Sequence, residues 1–211
     1  MKKQVFATLV LLFLSGSVMA QETTTKKDSK FELVVNGKLG FAQLKQSGNI
    51  TLNGNLTGSD VLLAYKISPK WELAGGIGFY EFNTNATSFG NSYSLKNSYL
   101  RIPVQFNGDY SIFNDEKSGN EKIFFTIGLG LYANSLLKQE FEAINGSTEV
   151  KNFGWNIGFS SQVGAKFIIN ENINLALGIE SQSDITKSQK DDNDQKLEQF
   201  NGMYFRIGFK I

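Results

Sequence analysis

Alternation of apolar and polar side chains with a period of two dominates this chain from residue 31 to its end. Such alternation indicates β-strands, because successive side chains of a strand point to opposite faces. It recurs in eight segments: 31–44, 56–67, 71–82, 93–106, 122–132, 153–169, 173–183 and 197–211. We therefore predict an all-β fold of eight antiparallel strands in up-and-down order.

The first twenty residues have the pattern of a secretory signal peptide. Lys2 and Lys3 precede an apolar stretch over residues 5–14, and a small-x-small pattern ends at Ala20. A run of about ten apolar residues is too short for a transmembrane helix, which needs roughly 20. We expect a signal peptide over 1–20 that is cleaved between Ala20 and Gln21, a polar leader over 21–30 and a barrel domain over 31–211.

The two faces of the predicted strands differ in chemistry. One face is rich in Phe, Leu and Ile and carries no charge, with Trp71 and Trp155 near strand ends. This composition is typical of a lipid-facing band with aromatic girdles. The other face is mostly Gly, Ala, Asn, Gln and Thr, and small residues suit the narrow lumen of eight strands. An exported chain without a helical span can cross a membrane only as a closed barrel.

Charged side chains within the strands fall on the lumen face. We expect them to form an ion-pair network that fills the lumen, because unpaired buried charges are costly and eight strands leave little open cross-section. The alternative is a selective pore. The candidate residues are Glu32, Lys38, Asp60, Lys66, Glu72, Arg101, Lys166, Glu180, Arg206 and Lys210.

The connections between strands alternate in length. Short turns at 68–70 and 170–172 follow the second and sixth strands. Longer polar segments follow the odd-numbered strands, at 45–55, 83–92, 133–152 and 182–196. Outer-membrane barrels have short periplasmic turns and longer external loops. The segment 107–121 is predicted as an unusually long periplasmic turn. The turn at 68–70 sets Lys66 opposite Glu72, and we expect this pair to interact.

The residue types present exclude several classes of function. Cys is absent, so no disulfide framework supports the exported domain. The net charge is +1 and no basic stripe is visible, which argues against nucleic acid as a partner. His is absent, which closes Ser–His and metal–His chemistry. We therefore predict no catalytic residues, no cofactor site and no metal site.

Three segments resemble the outer-membrane β-barrel domain common in Bacteroidota, of which the PorT-like proteins are one branch. They are Ser98–Phe106 with its Tyr-Leu-x-Ile-Pro strand, the Gly-x-Gly strand Ile127–Leu131 and the closing strand Phe205–Ile211. The resemblance implies a small barrel of this kind in the outer membrane. It does not imply an activity, because the family serves many roles.

These features predict a non-enzymatic outer-membrane barrel with a structural or interaction role, exerted through the external loops or the long turn. The expected partners are outer-membrane lipid, the barrel-assembly machinery through the C-terminal strand, and an envelope protein. Three alternatives stay open: an accessory subunit of an envelope secretion machine of the type IX kind, which the PorT-like branch suggests, a secreted soluble barrel that binds a small apolar ligand, and a narrow pore.

Overall fold

The computed structural model describes residues 29–88, 91–115, 120–143, 146–151, 154–190 and 193–211. The expected signal peptide, its cleavage site between Ala20 and Gln21, and residues 21–28 of the expected leader lie outside the described residues.

The described residues form one antiparallel sheet whose eight long strands close into a barrel. Their order is β1-β2-β3-β4-β5-β7-β8-β10, and β10 pairs back to β1. Two short strands are added at one end: β6 pairs with β5, and β9 pairs with β10. The strands are β1 (Phe31–Gln46), β2 (Ile50–Lys66), β3 (Trp71–Ser88), β4 (Asn91–Asp115), β5 (Asn120–Ala143), β6 (Gly146–Lys151), β7 (Trp155–Ile168), β8 (Ile173–Asp184), β9 (Ser188–Lys190) and β10 (Asn193–Lys210). The predicted eight-stranded up-and-down barrel is confirmed.

The seam between β1 and β10 closes the barrel along its whole height. Its ladder runs from Glu32 opposite Lys210 to Gln46 opposite Gln195. At the end that holds the short turns, the backbone N–H of Ile211 donates to the Phe31 carbonyl at 3.2 Å. A closed ladder leaves no long strand of the barrel with an unpaired edge.

The strands extend well beyond their predicted ends. The predicted loop at 45–55 is strand except for a single 3-10 turn at Ser47–Asn49. Strands also occupy most of the other predicted loops, and the predicted long turn at 107–121 is a continuation of the β4–β5 ladder down to Asp115 opposite Asn120. Past the apolar band the outer face becomes polar while part of the inner face becomes apolar, so the alternation that predicts the strands is lost, although backbone pairing continues.

The outward and inward faces follow the predicted assignment. Leu129 on β5 is 68 % exposed on the outer surface, and Leu39, Ile179 and Met203 lie on that surface too. Between them the alternate residues point inwards and are buried, as Val34 on β1 illustrates. Within the described residues, no helix is long and apolar enough to cross a membrane.

Aromatic rings inside the barrel pack against glycines of neighbouring strands. The ring of Tyr80 covers Gly58, and the ring of Tyr132 covers Gly158. A Cβ at either glycine would collide with the ring. The many glycines of the lumen face therefore make room for large inward side chains.

Candidate functional site

The end of the lumen near the short turns holds a network of ion pairs centred on Glu72. Its carboxylate accepts a hydrogen bond from Arg206 and another from Asn107 Nδ2 at 3.0 Å. Lys166 Nζ lies 3.9 Å from the second carboxylate oxygen of Glu72 and 2.8 Å from Asp109. These contacts connect three strands that are distant in sequence, β3, β7 and β10, inside the barrel.

The expected pairing of Lys66 with Glu72 is realised in register, but other cations lie closer to the Glu72 carboxylate. The ladder does place Lys66 opposite Glu72, as the turn length predicts. The carboxylate nevertheless pairs with Arg206 and Lys166, which approach from other strands across the lumen. Cross-lumen contacts in a narrow barrel compete with the neighbouring strand, and here they prevail.

A second charged cluster lies at mid-height around Lys38. Its ammonium group is 3.1 Å from Asp60 Oδ2 and 2.9 Å from Glu180 Oε1, and all three side chains are almost fully buried. Tyr80 donates to Asp60 at 2.7 Å, and Gln182 donates to Glu180 at 2.7 Å. The additional hydrogen bonds offset part of the cost of removing these charges from water.

The Arg101 guanidinium is held between two aromatic rings. It lies 3.8 Å from the ring centroid of Tyr80 and 4.0 Å from that of Tyr132. It also donates to Asn134 at 2.8 Å and to Gln182 at 2.6 Å. Stacking on both faces combined with in-plane hydrogen bonds is an arrangement that arginine accommodates and lysine does not.

Above these clusters, on the side away from the short turns, the lumen is closed by an apolar plug. Phe82 and Phe200 lie in this plug, and both side chains are completely buried. The plug comprises Ala42, Leu44, Leu56, Tyr80, Phe82, Leu95, Leu197 and Phe200. Sequence analysis missed it because its residues lie near the ends of five different predicted strands, where no single segment shows them as a group. The available signal was a change along β1 and β10: towards this end of the barrel, the inward-facing residues change from polar to apolar.

The ten candidate residues differ in their placement. Eight of them are buried in the lumen, and Glu32 approaches Arg206 at 4.0 Å. The other two are not buried as predicted. Lys66 is half-buried, and Lys210 is exposed at the mouth of the barrel, next to Ile211. Ammonium groups at the mouth reach water, so they need no buried partner.

The far rim of the barrel carries a ladder of opposite charges on the outer face of β3 to β6. Lys96 pairs with Glu81 at 2.6 Å, and Lys138 pairs with Glu149 at 2.7 Å. Lys151 lies 2.8 Å from Glu149 on its other side. The hydrogen bonds from Lys138 and then Lys151 lower the pKa of Glu149 to about 2. This rim is a partly exposed surface of paired charges.

No grouping of three or more Asp and Glu side chains suited to hold a metal ion occurs within the described ranges. The arrangement of the lumen is that of a filled interior. Any surface available to a partner is on the outside or at the two ends.

Comparisons with known proteins agree with this architecture. A family model described as "Outer membrane protein beta-barrel domain" matches residues 6–210. Among solved structures, Neisserial surface protein A (NspA) is similar with a TM-score of 0.50 at 12% identity, covering 88% of this chain and 100% of that chain. The N-terminal β-barrel domain of Pseudomonas aeruginosa OprF has a TM-score of 0.43 at 10% identity, with 86% and 98% covered. No curated protein matches the chain.

Proposed function

The chain belongs to the outer membrane protein beta-barrel domain family, and from this premise we propose that it is a non-enzymatic barrel with a structural or interaction role. The protein lies in outer-membrane lipid, which its exposed apolar band contacts. The observation that carries the proposal is the filled lumen, in which charged clusters lie beneath the apolar plug. A barrel with this interior acts through its outer surface and its ends.

The extended rim formed by β3 to β6 is the part of that surface best placed for an interaction role. The ladder of β5 with β6, from Lys138 opposite Lys151 to Ala143 opposite Gly146, extends past Leu137, the last exposed apolar residue of β5 before the charged rim. In an outer-membrane barrel the ends opposite the short turns face outwards from the cell. The rim therefore presents charged and polar side chains to the exterior.

Replacing residues 138–151 with a short turn tests this role. We expect the shortened barrel to keep the heat-dependent gel mobility of a folded barrel, because the apolar band and lumen clusters lie below the cut. Proteins crosslinked to the native chain in whole cells should be lost from the shortened chain. Unchanged crosslinks, or ion conductance of the native chain in planar bilayers, would contradict the proposal.

A second candidate role is that of an accessory subunit of an envelope machine, and the β4–β5 hairpin favours it. β3 begins at Trp71, opposite Gly108, whereas β4 continues to Asp115. This hairpin extends into the periplasmic side and carries the exposed Ile112. A photo-crosslinker at Ile112 should capture a periplasmic protein that one at Ile67, exposed beside the nearby short turn, does not.

Three finer assignments belong to the same proposal. The segments Ser98–Phe106, Ile127–Leu131 and Phe205–Ile211 support a place in the Bacteroidota branch of the family, near the PorT-like proteins. The pattern of residues 1–20 supports export with cleavage before Gln21. The C-terminal strand, which forms the seam with β1, is proposed as the segment that the barrel-assembly machinery engages.

A further inference from the structure

Beyond the apolar band, the outer face of four adjacent strands changes from hydrocarbon side chains to carboxamides. One row crosses the strands by direct register: Asn201 on β10 lies opposite Phe41 on β1, Phe41 lies opposite Asn55 on β2, and Asn55 lies opposite Asn83 on β3. Phe41 is 79 % exposed. An exposed phenyl ring is thus flanked by two carboxamides, and a third lies one strand further along the row.

A second row lies one step further from the membrane centre on the same face. Gln43 on β1 is opposite Gln199 on β10 and Asn53 on β2. The two rows together, with Phe41 in the lower one, form what we call the carboxamide patch. All of its amide side chains point outwards, since the residues between them, such as Ala42 and Phe200, are buried in the apolar plug.

The carboxamide patch lines a shallow depression of about 550 Å³ that is open to the outside. The ladder between β2 and β3 ends at Asn55 opposite Asn83, and beyond it the Thr84 hydroxyl donates to the Asn53 carbonyl at 2.5 Å. The backbone ladder therefore gives way there to a side-chain contact, at the place where the wall forms the depression with its polar sides.

The chemistry of the depression fits an uncharged polyhydroxyl ligand. Every residue that lines it is uncharged, in contrast to the neighbouring rim, where Lys96 and Glu81 form an ion pair. Each carboxamide offers two donors and an acceptor, which match the vicinal hydroxyls of a sugar ring. The exposed ring of Phe41 can cover the apolar C–H face of the same ring. A phosphate or sulfate would find no cation among these lining residues.

The position of the patch indicates which kind of molecule would carry such a sugar. Leu39 is the outward residue just below Phe41 on β1, and Val61 and Leu63 are outward on β2 below Asn55. These side chains contact hydrocarbon. Leu39 directly precedes the patch on β1, whereas on β2 the polar Ser59 and Thr57 lie between Val61 and Asn55. The patch faces away from the short turns, so it lies at the headgroup level of the outer leaflet, which in outer membranes consists of sugar-bearing lipids.

We propose that the carboxamide patch binds the uncharged sugar of an outer-leaflet glycolipid, with Phe41 stacking on the ring and Asn55 and Asn201 holding its hydroxyls. The site is on the membrane-facing wall and adjoins the charged rim at β3, where Asn83 Nδ2 donates to Glu81 Oε1 at 2.8 Å. A lipid bound there orients its acyl chains along the apolar band directly below. The barrel would then carry a fixed lipid on one side.

The test uses the full mature chain folded in nanodiscs of phosphatidylcholine, with and without galactosyl diacylglycerol as the probe. Native mass spectrometry of the released barrel measures how much glycolipid stays bound relative to phosphatidylcholine. We expect selective retention by the native chain. Phe41→Leu combined with Asn55→Asp should weaken it about tenfold, since a stacking contact and a donor are lost together.

Matched controls use residues of the same types elsewhere. Phe159→Leu changes an outward ring on β7, and Asn172→Asp changes an exposed carboxamide in the opposite turn, so this double variant should retain the lipid as the native chain does. Gel mobility on heating establishes that each variant is folded. Asn201→Asp alone serves as a milder variant if the double one fails to fold.

Several results would overturn the proposal. Equal retention of both lipids by the native chain means that the patch has no sugar specificity. Equal losses in the patch and control variants mean that the effect is not located at the patch. Competition by free methyl galactoside as strong as by the glycolipid makes the ligand a soluble sugar. A change of oligomeric state in the patch variants makes the occupant a second copy of the chain.

Discussion

The ammonium group of Lys38 on β1 lies 2.9 Å from the carboxylate of Glu180 on β8, although 142 residues separate the two in the chain. The contact lies inside the lumen at mid-height and spans the intervening strand β10, and Asp60 approaches the same ammonium from β2 at 3.1 Å. Three strands are therefore fixed relative to one another by a single buried cation.

Removing that cation should destabilise the barrel strongly. Lys38→Met leaves two buried carboxylates unneutralised, and we expect the free energy of unfolding to fall by about 3–5 kcal/mol in denaturant titrations of the protein in lipid vesicles. Adding Glu180→Gln should recover part of the loss. Lys45→Met, which removes a half-exposed pair with Glu198 at 4.0 Å, should cost less than about 1 kcal/mol. Purely additive effects of Lys38→Met and Glu180→Gln would refute the coupling.

The outward position of Leu129 gives a second prediction. An arginine near the bilayer midplane on the lipid face costs roughly 2–4 kcal/mol and much less near the interface. Leu129→Arg should lower the free energy of unfolding by that amount. Ile211→Arg, at a comparably exposed residue beside the end of the seam, should cost clearly less. If both substitutions cost the same in titrations at one lipid composition, the depth assignment is wrong.

The packing of rings on glycines gives a third prediction. A Cβ at Gly158 would collide with the ring of Tyr132, whose hydroxyl donates to Asp184 at 2.9 Å. Gly158→Ala should therefore destabilise the barrel by about 1–3 kcal/mol through overpacking. At Gly37 the nearest atom to a new Cβ is 3.9 Å away, so Gly37→Ala should be neutral or slightly stabilising. Comparable losses of stability in both variants would show that the destabilisation comes from the change in backbone freedom, and not from a lack of space for the new Cβ.

The charged rim gives a prediction about pH. Glu149 has a pKa lowered to about 2 by Lys138 and Lys151, so its ion pairs stabilise the β5–β6 ladder above the ordinary glutamate pKa near 4.5. That contribution is lost as the pH falls from about 4.5 through about 2. A carboxyl-carbon NMR titration should find the low pKa in the native chain and a higher one in Lys138→Met. Lys187→Met, which removes the partner of Asp194 instead, should leave the Glu149 titration unchanged.

Sequence alone predicted the parts of the barrel where the two faces contrast. On β5, Ile127, Leu129 and Leu131 alternate with Thr126 and Gly128, and both the strand and its orientation were recognisable. The upper part of β5, which lies in the segment predicted as a loop, shows less contrast, because polar residues occur on both of its faces: Asn134 is buried and Lys138 lies on the outer face. The ladder with β4 continues through it all the same.

The pairing of lumen charges was only partly predictable. Alternation fixed which side chains point inwards, and local register placed Lys66 opposite Glu72. The choice of Arg206 as the partner of Glu72 depends on the curvature and stagger of the closed barrel, which no single segment encodes. The apolar plug escaped for a similar reason: Phe82 and Phe200 meet only when the seam brings β10 next to β1.

The seam between β1 and β10 also constrains how the chain can fold. The first strand to be made has its final partner in the last, so one of its edges stays unsatisfied until the whole domain is available. Such maximal sequence separation makes folding slow and leaves partial barrels with an open, adhesive edge. An incomplete chain is therefore not a smaller barrel but an aggregation hazard, and folding is completed only when the two ends of the domain meet.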